Sequence, residues 1–161
     1  MWTTENLTDM GIAGIYSNLR GWGYASNSDG YGYYALDQWG VTSQRRDMEP
    51  FMNGTADTST GLFEKFWKKG FEGIHRANEA IANIPEKSPV SAEKKGRLMA
   101  EAKFLRALHY YKLNELYRGV PIYLEPITPE ECTLGQSSEN DVWEQVIKDL
   151  TDCINEPNFP N

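Results

Sequence analysis

The side chains best suited to chemistry are aromatic and lie in the glycine-rich tract of residues 21–60. Six of the chain's twenty aromatic residues fall within eighteen positions of that tract, at Trp22, Tyr24, Tyr31, Tyr33, Tyr34 and Trp39. An exposed indole or phenol offers a flat apolar platform with a polar edge, which suits stacking on the C–H face of a sugar ring. The pattern therefore favours a carbohydrate site, and its predicted ligand-binding residues are Trp22, Tyr24, Tyr34 and Trp39. The alternative is that these side chains anchor the tract to a helical scaffold.

Polar side chains of the same tract can serve the hydroxyl groups of a sugar. They are Asn27, Asp29, Asp37, Gln38, Gln44, Arg45 and Asp47. Four carboxylates of the tract form a second candidate site, for calcium: Asp29, Asp37, Asp47 and Glu49. Their spacing matches no known calcium loop, so we predict no metal site.

Catalytic motifs are missing from the sequence, which has no G-x-S-x-G, no H-E-x-x-H and no P-loop. Glu101 and His109 are eight residues apart, which on a helix leaves them on one side but about 12 Å apart. His75 and His109 can meet across packed helices, where a structural role is far commoner than metal binding. We therefore predict that the protein is not an enzyme and needs no cofactor.

Charge and composition exclude further classes of function. The 161 residues carry 16 Lys and Arg against 23 Asp and Glu, a net charge of −7. Because nucleic-acid binders need a basic surface, we predict no nucleic-acid partner. No apolar run is long enough for a membrane helix. Residues 1–4 lack the features of a signal peptide, so either the protein is cytoplasmic or its secretion signal is not part of this sequence.

Four stretches have helical periodicity, and together they predict an all-α fold. The predicted helices cover residues 5–20, 61–84, 92–117 and 139–154. Thr3 or Thr4, Ser91 and Ser138 are the predicted N-caps. Pro85 is predicted to end the second helix, and Gly119 to take the left-handed position after the third.

The third predicted helix is apolar on two faces, which indicates that it lies between neighbours. The second and third helices suit an antiparallel, tetratricopeptide-like pair. Such pairs also serve as scaffolds for protein–protein contact without a ligand site of their own, which is the alternative function. Cys132 and Cys153 are predicted to be unpaired, and residues 120–124 to be a short extended run.

The third helix resembles the signature helix of the SusD/RagB family. The resemblance rests on Ala100–Tyr111 (AEAKFLRALHYY), which continues into Leu116–Ile122 (LYRGVPI). Three further segments follow the family's order: Thr3–Leu19, Trp67–Ile81 and Asp141–Leu150. The second of these is similar to a W-x-x-x-Y-x-x-I-x-x-A-N helix, with phenylalanine in the tyrosine position.

The resemblance implies a surface lipoprotein of the outer membrane that binds an oligosaccharide or polysaccharide without catalysis. It also implies delivery of the glycan to a SusC-type TonB-dependent transporter. In such proteins, loops before the second helix can reach the ligand face. For the matching residues of the helices, the resemblance implies a role in packing and not in ligand binding. Trp67 and Phe71 are expected to pack against the third helix, and Glu101 and Arg106 to act as polar struts.

Members of the family are much longer than this chain. Residues 1–161 are therefore predicted to be the N-terminal helical domain of a longer protein. The family's lipid-bearing N-terminal cysteine is missing from this sequence. Membrane association is accordingly expected only through a lipid anchor that these residues do not include.

Overall fold

The computed structural model describes residues 1–19, 53–57 and 61–159. These residues form four α-helices and one short 3-10 helix, and they contain no β-strand. The elements are α1 (Glu5–Leu19), α2 (Gly61–Lys87), α3 (Ala92–Tyr117), the 3-10 helix Pro129–Glu131, and α4 (Glu139–Ile154). The all-α prediction is confirmed, and each predicted helix exists.

Helix α1 begins after a threonine cap, as predicted. The Leu7 N–H donates to Thr4 Oγ1 at 3.2 Å, which identifies Thr4 as the capping residue. Gly11 lies on the face of α1 covered by the indole of Trp2, and a Cβ on this glycine would approach the Trp2 ring to 2.5 Å. The glycine that weakens this helix therefore makes room for a buried tryptophan.

Helix α2 continues past Pro85 to Lys87, so the prediction that the proline ends it at Ile84 is wrong. Proline removes one backbone donor and crowds the preceding turn. Both costs are small in the last turn of a helix, because few backbone hydrogen bonds of the helix lie beyond that point. The Ser88 N–H donates to the Ile84 carbonyl at 3.2 Å, so the hydrogen-bond pattern resumes directly beyond the proline.

Helix α3 has the predicted N-cap but a different C-terminal turn. Ser91 accepts from the Lys94 N–H at 3.2 Å. At the other end Arg118, and not only the glycine, takes the left-handed conformation, with φ 55° and ψ 49°. Its N–H donates to the Asn114 carbonyl at 3.0 Å, which offsets the strain of a side chain in that region. Gly119 follows at φ +114°, with the Ser137 carbonyl lying where a Cβ would be.

Helix α4 begins with the predicted capping box. The Asp141 N–H donates to Ser138 Oγ at 3.1 Å, and the Ser138 N–H donates to Asp141 Oδ2 at 3.2 Å. Both bonds satisfy backbone donors that the first turn would otherwise leave unpaired.

Helix α3 lies between α2 and α4, which confirms the prediction from its two apolar faces. Tyr110 and Leu113 pack with residues of both neighbours in one buried cluster, which includes Phe66, Ile74, Val142 and Val146. A second cluster joins α1 to α2 and α3 and includes Ile12, Ile15, Ala77, Leu98 and Leu105. Helices α2 and α4 thus both pack against α3.

Helices α3 and α4 are antiparallel and are joined by polar contacts along their length. Lys103 Nζ donates to Asp152 Oδ2 at 2.6 Å, and Arg106 pairs with Asp149 at 2.7 Å. Near the other end of the contact, Asn114 Nδ2 donates to the Glu139 carbonyl at 3.0 Å. Residues further along α3 therefore contact earlier residues of α4.

Residues 120–124 follow α3 without forming a strand. Helix side chains hold this segment in place. The Tyr110 hydroxyl donates to the Tyr123 carbonyl at 2.9 Å and accepts from the Tyr123 N–H at 2.7 Å. Asn78 Nδ2 donates to the same carbonyl at 2.9 Å and to that of Glu125 at 3.1 Å.

Candidate functional site

The predicted ligand-binding residues Trp22, Tyr24, Tyr34 and Trp39 lie outside the described residues, and they stay a prediction. The carboxylates of the alternative calcium site also lie outside them. The structure does describe the helix ends that flank the aromatic tract and the side chains around those ends.

The helices on either side of the tract are antiparallel and tied together. Asn18 Nδ2, in the last turn of α1, donates to the Lys69 carbonyl of α2 at 2.7 Å. At the opposite end of the pair, Thr8 Oγ1 and Ser88 Oγ are 2.9 Å apart. The last residue of α1, Leu19, packs against both buried clusters. Residues 19 and 61, which flank the tract, thus lie at the same end of the helical scaffold.

Aromatic side chains from three elements meet at this end of the scaffold. We call them the aromatic cluster: Trp67, Phe71, Tyr117 and Tyr123. The ring centroids of Trp67 and Phe71 are 4.8 Å apart, and Tyr117 meets Trp67 edge-on at 5.1 Å. Phe71 in turn meets the Tyr123 ring edge-on at 6.2 Å. These separations and angles are those of favourable aromatic pairs.

The aromatic cluster is held rigidly but is not fully buried. The Tyr117 hydroxyl donates to the Phe63 carbonyl at 2.5 Å, and burial raises the pKa of this phenol to about 12. The phenol is therefore neutral at physiological pH. Trp67 packs on Tyr117 of α3 as the resemblance implied, yet its side chain keeps 39% exposure. The packing role assigned to Trp67 is confirmed, and its open face adds an aromatic surface beside the start of α2.

The predicted polar strut at Arg106 is confirmed, and its partners are now identified. Its guanidinium forms two hydrogen bonds to Asp149, one to Asn78 Oδ1 at 2.8 Å and one to the Leu124 carbonyl at 3.2 Å. Arg106 thus joins α2, α3, α4 and the segment after α3. Sequence reasoning missed Asp149 as its partner, although a carboxylate in the apolar stripe between Val146 and Cys153 is itself a signal of a buried cation nearby.

Glu101 and the two histidines are not assembled for catalysis. Glu101 pairs with Arg97 at 3.5 Å and accepts a hydrogen bond from Tyr16, whose pKa is raised by burial and by that carboxylate. Burial lowers the pKa of His109 to about 4, so its imidazole is neutral. His75 lies on an exposed part of α2, so the two histidines do not share a surface.

Within residues 1–19, 53–57 and 61–159, no three His, Cys, Asp or Glu side chains are grouped so as to hold a metal ion. The thiols of Cys132 and Cys153 are free, as predicted, with the first exposed and the second buried. None of the helices described has the length and apolar character needed to cross a membrane.

Comparison with known families matches residues 17–156 to a family model. The matching SusD-like family is described as starch-binding and associating with the outer membrane. Two curated relatives come from Formosa agariphila. SusD-like protein P25 is 29% identical over 163 residues, which cover 91% of this chain and 30% of that protein. SusD-like protein P2 is 28% identical over 117 residues, which cover 69% of this chain and 22% of that protein.

Solved structures share the same fold. A laminarin-binding SusD-like protein superposes with a TM-score of 0.84 at 26% identity, over 99% of this chain and 35% of that one. A SusD-like carbohydrate-binding protein from Bacteroides fragilis gives 0.81 at 21% identity, over 96% of this chain and 32% of its own. The chain thus spans about a third of the length of the proteins it matches.

Proposed function

Since the chain belongs to the SusD-like family of starch-binding proteins that associate with the outer membrane, we propose that it takes part in non-catalytic capture of a glycan at the cell surface. The ligand in this proposal is an oligosaccharide or polysaccharide, bound by aromatic stacking and by hydrogen bonds to its hydroxyl groups. The bound glycan is then handed to a SusC-type TonB-dependent transporter.

One observation carries the proposal. The laminarin-binding SusD-like protein shares the fold over 99% of this chain, with 26% identity. The name of that neighbour states laminarin as the ligand of the neighbour itself. Similarity of fold and sequence over nearly the whole chain supports the same class of ligand, a glycan, for this protein.

The geometry of the scaffold supports a site on the aromatic tract. The Asn18–Lys69 hydrogen bond ties together the two helices that flank the tract. The aromatic cluster, with its partly exposed Trp67, lies at that same end. We propose that Trp22, Tyr24, Tyr34 and Trp39 bind the glycan from the tract. In this arrangement the helices are the support and the tract supplies the contacts.

The proposed location is the outer membrane, facing outward, with attachment through a lipid anchor outside these residues. Binding without catalysis agrees with how Glu101, His75 and His109 are placed. The first has Arg97 and Tyr16 as partners, the second is exposed, and the third is neutral and buried.

The test is glycan binding by the full-length protein, measured by calorimetry with laminarin, starch and a panel of other polysaccharides. The double variant Trp22→Ala/Trp39→Ala is expected to weaken binding of the recognised glycan by at least about tenfold, which corresponds to roughly 1.4 kcal/mol. Trp143→Phe, on α4, is the matched control and leaves affinity unchanged.

Two results would contradict different parts of the proposal. Unchanged affinity in the double variant would overturn the assignment of the tract residues and leave glycan binding standing. Failure of the folded full-length protein to bind any polysaccharide of the panel would overturn the function itself. Sustained hydrolysis of a glycan by purified protein would overturn the non-catalytic role.

A further inference from the structure

The last two turns of α1 make polar contacts with α2 close to where the aromatic tract begins. Asn18 is buried, and its Nδ2 donates to the Lys69 carbonyl at 2.7 Å. One turn earlier, the Gly14 carbonyl accepts from Arg76 Nη1 at 2.7 Å. Each bond runs from a side chain of one helix to the backbone of the other. The end of α1 is therefore fixed to the α2 backbone in two places.

A carboxylate of α2 holds the Arg76 side chain in position. Glu72 Oε1 accepts from Arg76 Nη2 at 2.6 Å, and Glu72 Oε2 accepts from Lys69 Nζ at 3.1 Å. The guanidinium is planar, so a bond that fixes Nη2 also fixes the direction in which Nη1 points. Glu72 thus keeps Arg76 directed at the Gly14 carbonyl. We call Asn18, Glu72 and Arg76 the α1–α2 clamp.

The α1–α2 clamp lies at the end of the helix pair that adjoins the tract. Asn18 directly precedes Leu19, the last residue of α1, and Leu19 packs against both buried clusters. Gly61, the first residue of α2, precedes Lys69 by eight residues, about 12 Å along a helix. The clamp therefore sets the position at which the chain leaves α1 relative to the helix that it enters next.

Apolar contacts, and not the clamp, supply most of the stability of α1 on the scaffold. Ile12 and Ile15 are buried in a cluster with Ala77, and packing of this kind is the main source of helix stability in proteins. The Arg76–Glu72 pair is partly exposed, at 41% and 32% for the two side chains, so it contributes little to stability. Apolar contact has no preferred direction, whereas a hydrogen bond does. The clamp thus defines the geometry of the helix pair more than it adds to its stability.

We propose that Asn18 and Arg76 are positioning residues for glycan binding, which raise the affinity for the glycan without contacting it. The inference rests on the proposed function, in which the tract supplies the contacts. A connection held firmly at both ends samples fewer arrangements than one with a loose end. Less conformational freedom is then lost when a ligand orders the side chains that bind it. Loosening α1 against α2 adds that cost to the binding step.

The test is calorimetric binding of laminarin, starch and the other polysaccharides of the panel to the full-length protein. Asn18→Leu removes the amide donor with little change in volume, and Arg76→Met removes the guanidinium but keeps an unbranched side chain. Each variant is expected to weaken binding of the recognised glycan by about three- to tenfold, because the loosened connection must be ordered on binding. Arg76→Lys keeps a cationic donor and is expected to bind more tightly than Arg76→Met.

Thr8→Val is the matched control, at the opposite end of the same helix pair. Thr8 Oγ1 and Ser88 Oγ lie 2.9 Å apart and are buried. Like Asn18→Leu, this variant removes a buried side-chain hydrogen bond between α1 and α2, which lowers stability. Its melting temperature is expected to fall by a similar amount, while its affinity for the glycan stays that of the wild type.

The outcomes separate this inference from the proposed function. If the wild type binds a glycan and both Asn18→Leu and Arg76→Met retain its affinity, the positioning role is overturned and the proposed function stands. Equal losses of affinity in Asn18→Leu and Thr8→Val would also overturn the positioning role, because general destabilisation would then explain both. Equal affinities of Arg76→Lys and Arg76→Met would overturn it by showing that the donor has no effect. A folded wild-type protein that binds no polysaccharide of the panel would overturn the proposed function, and this inference with it.

Discussion

Arg106 and Asp149 form a buried, two-pronged ion pair that joins α3 to α4. Arg106 Nε lies 2.8 Å from Asp149 Oδ2, and Nη2 lies 2.7 Å from Oδ1. Both side chains are almost completely buried, at 6% and 2% exposure. Gln145 Nε2 adds a hydrogen bond to Asp149 at 3.0 Å, so the carboxylate has donors from two helices.

We predict that Asp149→Ala strongly destabilises the protein. Removing one partner leaves the Arg106 guanidinium buried without its counter-charge, which costs about 3–5 kcal/mol. The measurement is the free energy of unfolding in urea. Asp152→Ala is the matched control, because its pair with Lys103 is partly exposed and is worth at most about 1 kcal/mol. Equal losses in the two variants would contradict the prediction.

A second prediction concerns pH and the buried His109. Burial lowers the pKa of its imidazole from 6.5 to about 4. In the unfolded chain it takes up a proton below pH 6.5, whereas the folded protein resists protonation until about pH 4. The stability it contributes is therefore present above pH 6.5 and is lost as pH falls from 6.5 to 4, by on the order of 3 kcal/mol.

Unfolding free energies measured between pH 4 and pH 7 check this prediction. His109→Gln is expected to flatten the profile across that window, whatever its stability at pH 7. His75→Gln removes an exposed histidine from the same protein and should retain the wild-type slope. A His109→Gln profile parallel to that of the wild type would show that His109 is not the group responsible.

The third prediction compares two helical glycines. Gly73 of α2 lies directly against the His109 imidazole, which occupies the space that a Cβ would need. Gly73→Ala forces α2 and α3 apart and is expected to cost about 1–3 kcal/mol. Gly14 of α1 has open space at the same position, so Gly14→Ala should stabilise the protein by up to about 1 kcal/mol. Thermal unfolding of both variants measures the contrast, and a stabilising Gly73→Ala would refute the close packing.

Local signals in the sequence predict most of the helical structure. Ser91 and Ser138 were identifiable because a cap needs only its own side chain and the next three residues. The helix end at Pro85 was predicted wrongly and the left-handed conformation of Arg118 was not predicted, because both outcomes depend on more than local preference. A proline is tolerated when only a few helical residues follow it. Arg118 adopts the left-handed conformation because its N–H then donates a hydrogen bond to the Asn114 carbonyl.

Contacts between distant residues were less accessible from the sequence. The periodicity of α3 showed that it has two neighbours, and the resemblance implied that Arg106 is a strut. Neither could identify Asp149, which is 43 residues away, because the partner depends on the register between two helices. The predicted glycan contacts, Trp22 and Trp39 among them, lie outside the described residues and depend on the binding experiment.

The Tyr110 hydroxyl has a consequence for the segment that follows α3. It bonds both the N–H and the carbonyl of Tyr123, at 2.7 Å and 2.9 Å. A neighbouring strand ordinarily supplies that pair of bonds in antiparallel sheets. One phenol on a helix thus takes the place of a strand partner at this residue. The backbone groups that an incoming chain would use to add itself, the first step of edge-to-edge aggregation, are already occupied there.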